Sequence, residues 1–172
     1  AFVFAGLALA LEASNTALWD VDILTGETRL DENWAVMVGG ARAPTTTTLR
    51  GLFGLVHPDE RTRVMDALRD VKQGRAPTYR VEHRVRTKAG EWIWIETRGR
   101  AVKVGPNGEA LRMAGTNTDI TARKVAEIEV VRQKEFLETM HLITLELLER
   151  RNLDELLQTI VERAALMLDA PV

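Results

Sequence analysis

The chain has 172 residues, 23 basic and 25 acidic side chains, a net charge of −2 and no cysteine. That length holds one domain with something appended, or two very small ones, and 45% hydrophobic with 28% charged residues suits a soluble fold that buries a core. The near-neutral balance supplies no overall field for nucleic acid or an anionic membrane. The missing cysteine excludes disulfides, thiolate zinc, iron–sulfur clusters and thiol nucleophiles. It leaves the compartment open, with a reducing cytoplasm as the simpler expectation.

Residues 1–13 (AFVFAGLALALEA) read as an Ala/Leu-rich helix stopped by Ser14-Asn15. Its apolar run, Ala1–Leu11, is shorter than the roughly 20 residues of a bilayer span. It is read as an amphipathic or buried helix, with the tail of a longer hydrophobic segment in a parent chain as the alternative. Thr16–Asp22 alternates as a strand, LTGE is a turn, and Glu27–Asp31 is a second strand. Asn33–Val38 forms one or two helical turns closed by Gly39-Gly40. The segment ARAPTTTTLRGLFGLV is read as irregular with short helical pieces. HPDE then opens a helix with Pro58 in the first turn and Val64, Leu68 and Val71 on one side. Three long alternating runs follow: Thr78–Thr87, Glu91–Val104 and Ala110–Asp119, joined by KAGE and GPNGE turns. Residues 121–172 contain no Gly and only Pro171, and read as helix almost throughout. The pattern predicts an α+β domain with an antiparallel sheet and its helices in the middle of the chain.

LWDVDILTGE, the HPDE helix start, YRVEHRVRTKAGEWIWIETRGR, and MAGTNTDIT with Asp119-Ile120-Thr121 occur in this order and spacing. Over roughly residues 8–123 they resemble the PAS sensory-domain family, in the subclass whose last three strands carry the PAC motif. The resemblance implies a five-stranded antiparallel sheet, helices on one face, a ligand cavity between them, and a role as the input module of a histidine kinase, cyclase, phosphodiesterase or transcription regulator. Further on, NLDELLQTIVERAALMLDAPV resembles the first helix of a GAF sensory domain, with a continued amphipathic helix as the alternative. The expected organisation is an N-terminal helix over 1–13, a PAS domain over 14–121, a signalling helix over 122–150 and the start of a GAF domain over 151–172.

The two-residue period assigns faces. Trp19, Val21, Val81, His83, Val85, Ile93, Ile95, Thr97, Met113 and Asn117 share the inward parity and are the candidate cavity lining. Three of them are polar. A buried polar group without a partner costs roughly 1–3 kcal/mol. His83, Thr97 and Asn117 must therefore satisfy one another, hold water, or converge on a small ligand. On the outer parity Trp92 and Trp94 sit among arginines, an unusual patch that something should cover. The candidates are the N-terminal helix, which is favoured, the same helix of a second subunit, or helix 121–150. Arg98 or Arg100 is the candidate to stack on an indole. The run Arg80–Lys103 carries 7 basic and 3 acidic residues. No RNP-type motif accompanies it, so nucleic acid is not expected.

The sequence names no cofactor. The histidines, His57, His83 and His141, lack metal-ligand spacing. The helix Asp59–Gln73, where haem-binding relatives usually carry the iron ligand, has no His, which argues against haem. A light-driven flavin adduct needs a cysteine, which is missing. His57 is read as a turn cap. His141, in MHLITLELL, lacks the acidic neighbour and following Pro of a phosphoacceptor, so no catalytic residue is assigned. In relatives the aspartate of the Asp119-Ile120-Thr121 motif bridges sheet and exiting helix. Arg98 and Arg100 are its expected partners here, with Thr121 as helix cap. Val125, Ile128 and Val131, then Phe136, Met140, Ile143 and Leu147, form apolar stripes parted by Arg132–Glu135. They suggest a parallel two-helix coil, with a solvated linker helix packing on its own domain as the alternative. The expected partner is a second copy, in a homodimer through the N-terminal helix, the outer sheet face and this linker helix. The expected function is a sensory and dimerisation module of a signalling protein, with a purely structural dimerisation domain without ligand as the alternative.

Overall fold

The computed structural model describes residues 9–11 and 13–168. It divides the chain into two compact units, residues 1–124 and 125–172. Of the expected N-terminal helix, residues 9–11 and 13 are helical, and residues 1–8 and 12 lie outside the described residues.

The first unit is built on a sheet of β1 (Thr16–Asp22), β2 (Glu27–Leu30), β3 (Thr45–Thr48), β4 (Tyr79–Arg86), β5 (Trp92–Val104) and β6 (Ala110–Asp119). The strands are antiparallel in the order β3-β2-β1-β6-β5-β4. The helices are α1 (Glu32–Met37), α2 (Leu49–Leu55) and α3 (Arg61–Lys72), with Pro58–Glu60 as a 3-10 turn leading into α3. The last helix, α4 (Thr121–Leu168), leaves β6 directly.

The α+β class and the five alternating strands agree with the expectation. The sixth strand, β3, differs from it. Its four threonines pair with β2 from Glu27↔Thr48 to Leu30↔Thr45. Threonine is β-branched and suits a strand, but a run of one residue type has no apolar alternation, so the periodicity is silent there. HPDE likewise opens as a 3-10 turn, with the α-helix starting at Arg61. His57 caps that turn as expected, its Nδ1 accepting from Asp59 N at 3.4 Å.

The core sits between the inward sheet face and α1–α3, and is continuous from Trp19 and Val21 through Trp34, Val56 and Val64 to Ile95 and Met113. Register explains its shape. Trp19, Gly115, Gly99 and Tyr79 lie in one row across β1, β6, β5 and β4. The Trp19 ring occupies the space a side chain would take on both glycines. It meets Tyr79 edge-on with ring centres 6.3 Å apart. A Cβ at Gly115 would also collide with the Arg98 carbonyl oxygen, so this position needs glycine for close approach rather than for turn geometry.

The second unit, residues 125–172, is described as the rest of α4 through Leu168. The helix passes through Arg132–Glu135 and through the expected boundary at residue 150 without a break. The polar turn interrupts the apolar pattern but not the backbone, because each of its residues is a good helix former. No helix among the described residues is long and apolar enough to cross a membrane.

Candidate functional site

A cavity of ≈80 Å³ lies between sheet and helices, lined by Trp19, Val21, His83, Val85, Ile95, Thr97 and Asn117 from the predicted set. Val81 and Met113 are buried in the core beside it, and Ile93 packs partly buried against the same core. Thr28, Trp34, Leu49, Leu52, Phe53, Val56, Val64, Leu68 and Tyr79 complete the wall. Period-2 parity finds strand residues only. The helical wall was legible in part through the Val64/Leu68 spacing, but Phe53 and Leu52 sat in a segment without a clean period.

The three polar residues part company. Thr97 and Asn117 are direct cross-strand neighbours, and Thr97 Oγ1 donates to Asn117 Oδ1 at 2.8 Å. His83 Nδ1 has no protein partner, and neither does Trp19 Nε1. Both residues are more than nine-tenths buried, His83 at 4% and Trp19 at 8% exposure. Burial pushes the His83 imidazole down to about 4, against the pull of the Glu60 carboxylate in the other direction. His83 is therefore neutral at neutral pH.

One residue along β4 from His83, Arg84 makes a second cluster. Glu60 accepts from Arg84 N at 2.6 Å and from Arg84 Nε at 2.9 Å. Burial alone would raise the Glu60 carboxyl, and the Arg84 bonds and charge outweigh it, leaving it below its ordinary value. Arg84 pairs directly across from Trp94. Its guanidinium carbon and Lys124 Nζ each lie 5.3 Å from the Trp94 ring centre.

This geometry corrects the reading of the outer face. The cation over the indole is Arg84 with Lys124, not Arg98 or Arg100. Arg98 is four residues along the same strand, about 13 Å at a strand's rise, whereas a directly opposite residue is about 5 Å away. Trp92 is 40% exposed and meets the His57 ring at 4.6 Å between centres. The favoured cover, the N-terminal helix, falls mostly on residues outside those described. Part of the basic run is ion-paired, and Glu82 within it pairs with two cations from the start of α4. Arg80 and Arg98 bind the two oxygens of Glu96 at 2.7 Å each, and Arg123 and Lys124 bind those of Glu82 at 2.7 Å each. The Lys124 and Arg123 bonds hold the Glu82 carboxyl below its ordinary value.

The exit to α4 is corrected in the same way. Asp119 pairs with Ile95 and so shares the inner parity, while Arg98 and Arg100, opposite Thr116 and Ala114, lie on the outer one. The Asp119 carboxylate instead accepts from Thr121 N at 2.8 Å. Thr121 is the first helical residue rather than the cap. Its Oγ1 accepts from Trp94 N at 3.0 Å, and Ile120 N donates to Trp94 O at 2.9 Å. Both main-chain groups of Trp94 thus hold the start of the helix. Among the described residues no group of three or more His, Asp or Glu is placed to hold a metal ion.

A family model described as the PAS fold matches residues 27–117. The structure of a sensory box histidine kinase/response regulator from Burkholderia thailandensis is 34% identical, with a TM-score of 0.66, and the match covers 77% of this chain and 97% of that one. A blue-light-activated histidine kinase of Brucella anthropi is 25% identical over 69% of this chain and 23% of its own length. Hybrid signal transduction histidine kinase A of Dictyostelium discoideum is 31% identical over 44% of this chain and 4% of its own. The chain thus spans less than a quarter of the curated relatives it matches.

Proposed function

The chain belongs to the PAS fold family, and from that premise we propose that it is the sensory input and dimerisation module of a larger signalling protein, in which a change at the cavity reaches α4 through β5 and the Asp119-Ile120-Thr121 junction. The domain is a sensor domain related to those of histidine kinases, regulatory in kind. On this reading the parent is a cytoplasmic histidine kinase or nucleotide cyclase, and residues 151–172 open a following GAF domain.

One observation carries the proposal: Ile95 lines the cavity, and the adjoining Trp94 holds the first residues of α4 by its N–H and C=O. Each such bond contributes about 0.5–1.5 kcal/mol net. A two-bond anchor is therefore weak enough to be shifted by the 1–3 kcal/mol of typical coupling between sites. Dimerisation is supported by α4 itself, whose Val125, Ile128, Val131, Phe136, Met140, Ile143 and Leu147 are all exposed. An apolar helix face of that length calls for a partner, and a second copy in a coiled coil supplies the right pattern.

Hydrogen exchange tests the coupling. Replacing His83→Leu perturbs the cavity wall without touching the junction, and exchange at Ile120–Lys124 is expected to change while that of β2 stays constant. An indifferent junction in a protein that still sediments as a dimer would favour a structural dimerisation domain with a water-filled cavity.

A further inference from the structure

We infer that the cavity takes a small uncharged molecule of about four or five non-hydrogen atoms, a short alkyl body bearing one hydroxyl or carbonyl, with its oxygen accepting from Trp19 Nε1. The inference rests on the sensory reading of the cavity and goes further by assigning the ligand's chemical class from three features of the wall.

The first is size. The volume of ≈80 Å³ is well below the ~150 Å³ that holds a benzene-sized molecule and the ~300 Å³ at which drug-sized pockets begin. Flat cofactors with several rings do not fit this wall as it stands. The second is polarity. Val21, Val56, Val64, Leu68 and Phe53 present only carbon to the space, which suits an alkyl body. The third is the pair of unpartnered atoms. Trp19 Nε1 can only donate, so the occupant must offer an acceptor. The His83 imidazole is neutral, so Nδ1 serves as acceptor or donor according to tautomer; a ligand hydroxyl satisfies it in either form, a carbonyl in the form that carries the proton on Nδ1. Thr97 and Asn117 are already engaged with each other. A charged ligand has no countercharge here: among the lining residues no Asp, Glu, Lys or Arg occurs. Burying a carboxylate or ammonium without a partner costs more than so small a body returns.

The test compares three probes of four non-hydrogen atoms: 2-propanol, acetate and isobutane. Binding is followed by NMR on the Trp19 indole N–H and on the methyl groups of Ile95 and Leu68. Saturable binding of 2-propanol with a shift of the Trp19 indole signal is expected, and none of acetate. Trp19→Phe removes the donor and is expected to weaken 2-propanol at least tenfold, the equivalent of one good hydrogen bond. Isobutane should bind the variant as well as or better than the parent, which separates a lost hydrogen bond from a collapsed cavity. His83→Leu should act in the same direction with a smaller change. Equal binding of acetate, equal binding of 2-propanol by parent and Trp19→Phe, or an ordered water that stays on the Trp19 indole at saturating 2-propanol would each overturn the inference. So would a larger or charged molecule found by mass spectrometry on protein from its native source, although that result would leave the sensory reading intact. Conversely, saturable 2-propanol binding with no response in exchange at Ile120–Lys124 would retain this ligand class and remove the sensory reading.

Discussion

The two units of the chain treat the same kind of residue in opposite ways. In residues 16–124 the large apolar side chains on the inward face of the strands are buried, with Met113 at 0% and Ile95 at 2% exposure. In α4 beyond Lys124 the apolar side chains are exposed, from 42% at Met140 to 66% at Leu137 and Leu142. The difference separates two sources of stability. The sheet unit closes its core with its own helices. The helix owes its state to residue propensity and to whatever covers its apolar rows, since isolated helices gain most of their stability from a packed face. A substitution should therefore reveal which unit it belongs to by whether it changes melting or association.

The largest effect is expected in the sheet unit. Gly115→Ala places a methyl group against the Arg98 carbonyl oxygen and the Trp19 ring. Both are held by the sheet and cannot yield, so a loss above about 4 kcal/mol and failure to fold at 37 °C are expected. A soluble, cooperatively melting variant would show that the Trp19 row is looser than its register implies.

Acid should weaken the same unit next. The His83 imidazole is held near 4 in the fold and titrates near 6.5 when unfolded. Between those values the unfolded chain binds the extra proton, so stability falls as pH drops from 6.5 towards 4 and levels off below. The full effect is about 3 kcal/mol. Glu60 and Glu82 have depressed values in the fold and add loss in the same direction, below pH 4.5. His83→Leu should flatten the slope between pH 6.5 and 5 in denaturant titrations while leaving the lower limb. An unchanged slope in that window would remove His83 as its source.

At the junction, Thr121→Val removes the hydroxyl that takes Trp94 N. A loss of about 1 kcal/mol is expected, with faster exchange confined to the first turn of α4. Loss spread through β4–β6 would mean that the junction belongs to the core.

The smallest effect on melting, and the clearest separation of the units, is expected from Met140→Glu with Ile143→Glu. Melting of the sheet unit should shift by less than about 0.5 kcal/mol, while self-association measured by sedimentation should fall to monomer. A variant that remains a dimer would move the interface away from this helix.

Much of the fold was legible because alternation and turn chemistry agree in the long strands. Residues such as Val81, Val85 and Ile95 could face only one way once their charged neighbours faced the other. β3 was illegible because four threonines carry no contrast between faces. The inner lining from the strands was legible for the same reason as the strands. The partners of each side chain were not. Arg98 and Arg100 were matched to Asp119 because they lie on the neighbouring strand, whereas register put them on the opposite side of the sheet from it and put Arg84 over Trp94.

The sequence by itself determined the class of the fold, the strand faces, the polar triad His83, Thr97 and Asn117, and the absence of thiol chemistry. These follow from local period and residue type. The tertiary structure decided which two of the three polar residues satisfy each other, that Trp19 joins His83 with an unpartnered buried atom, and that Trp94 holds the head of α4. Those outcomes depend on how strands align across the sheet and how helices close over it. Such contacts form between residues tens of positions apart, where no local pattern in the chain can record them.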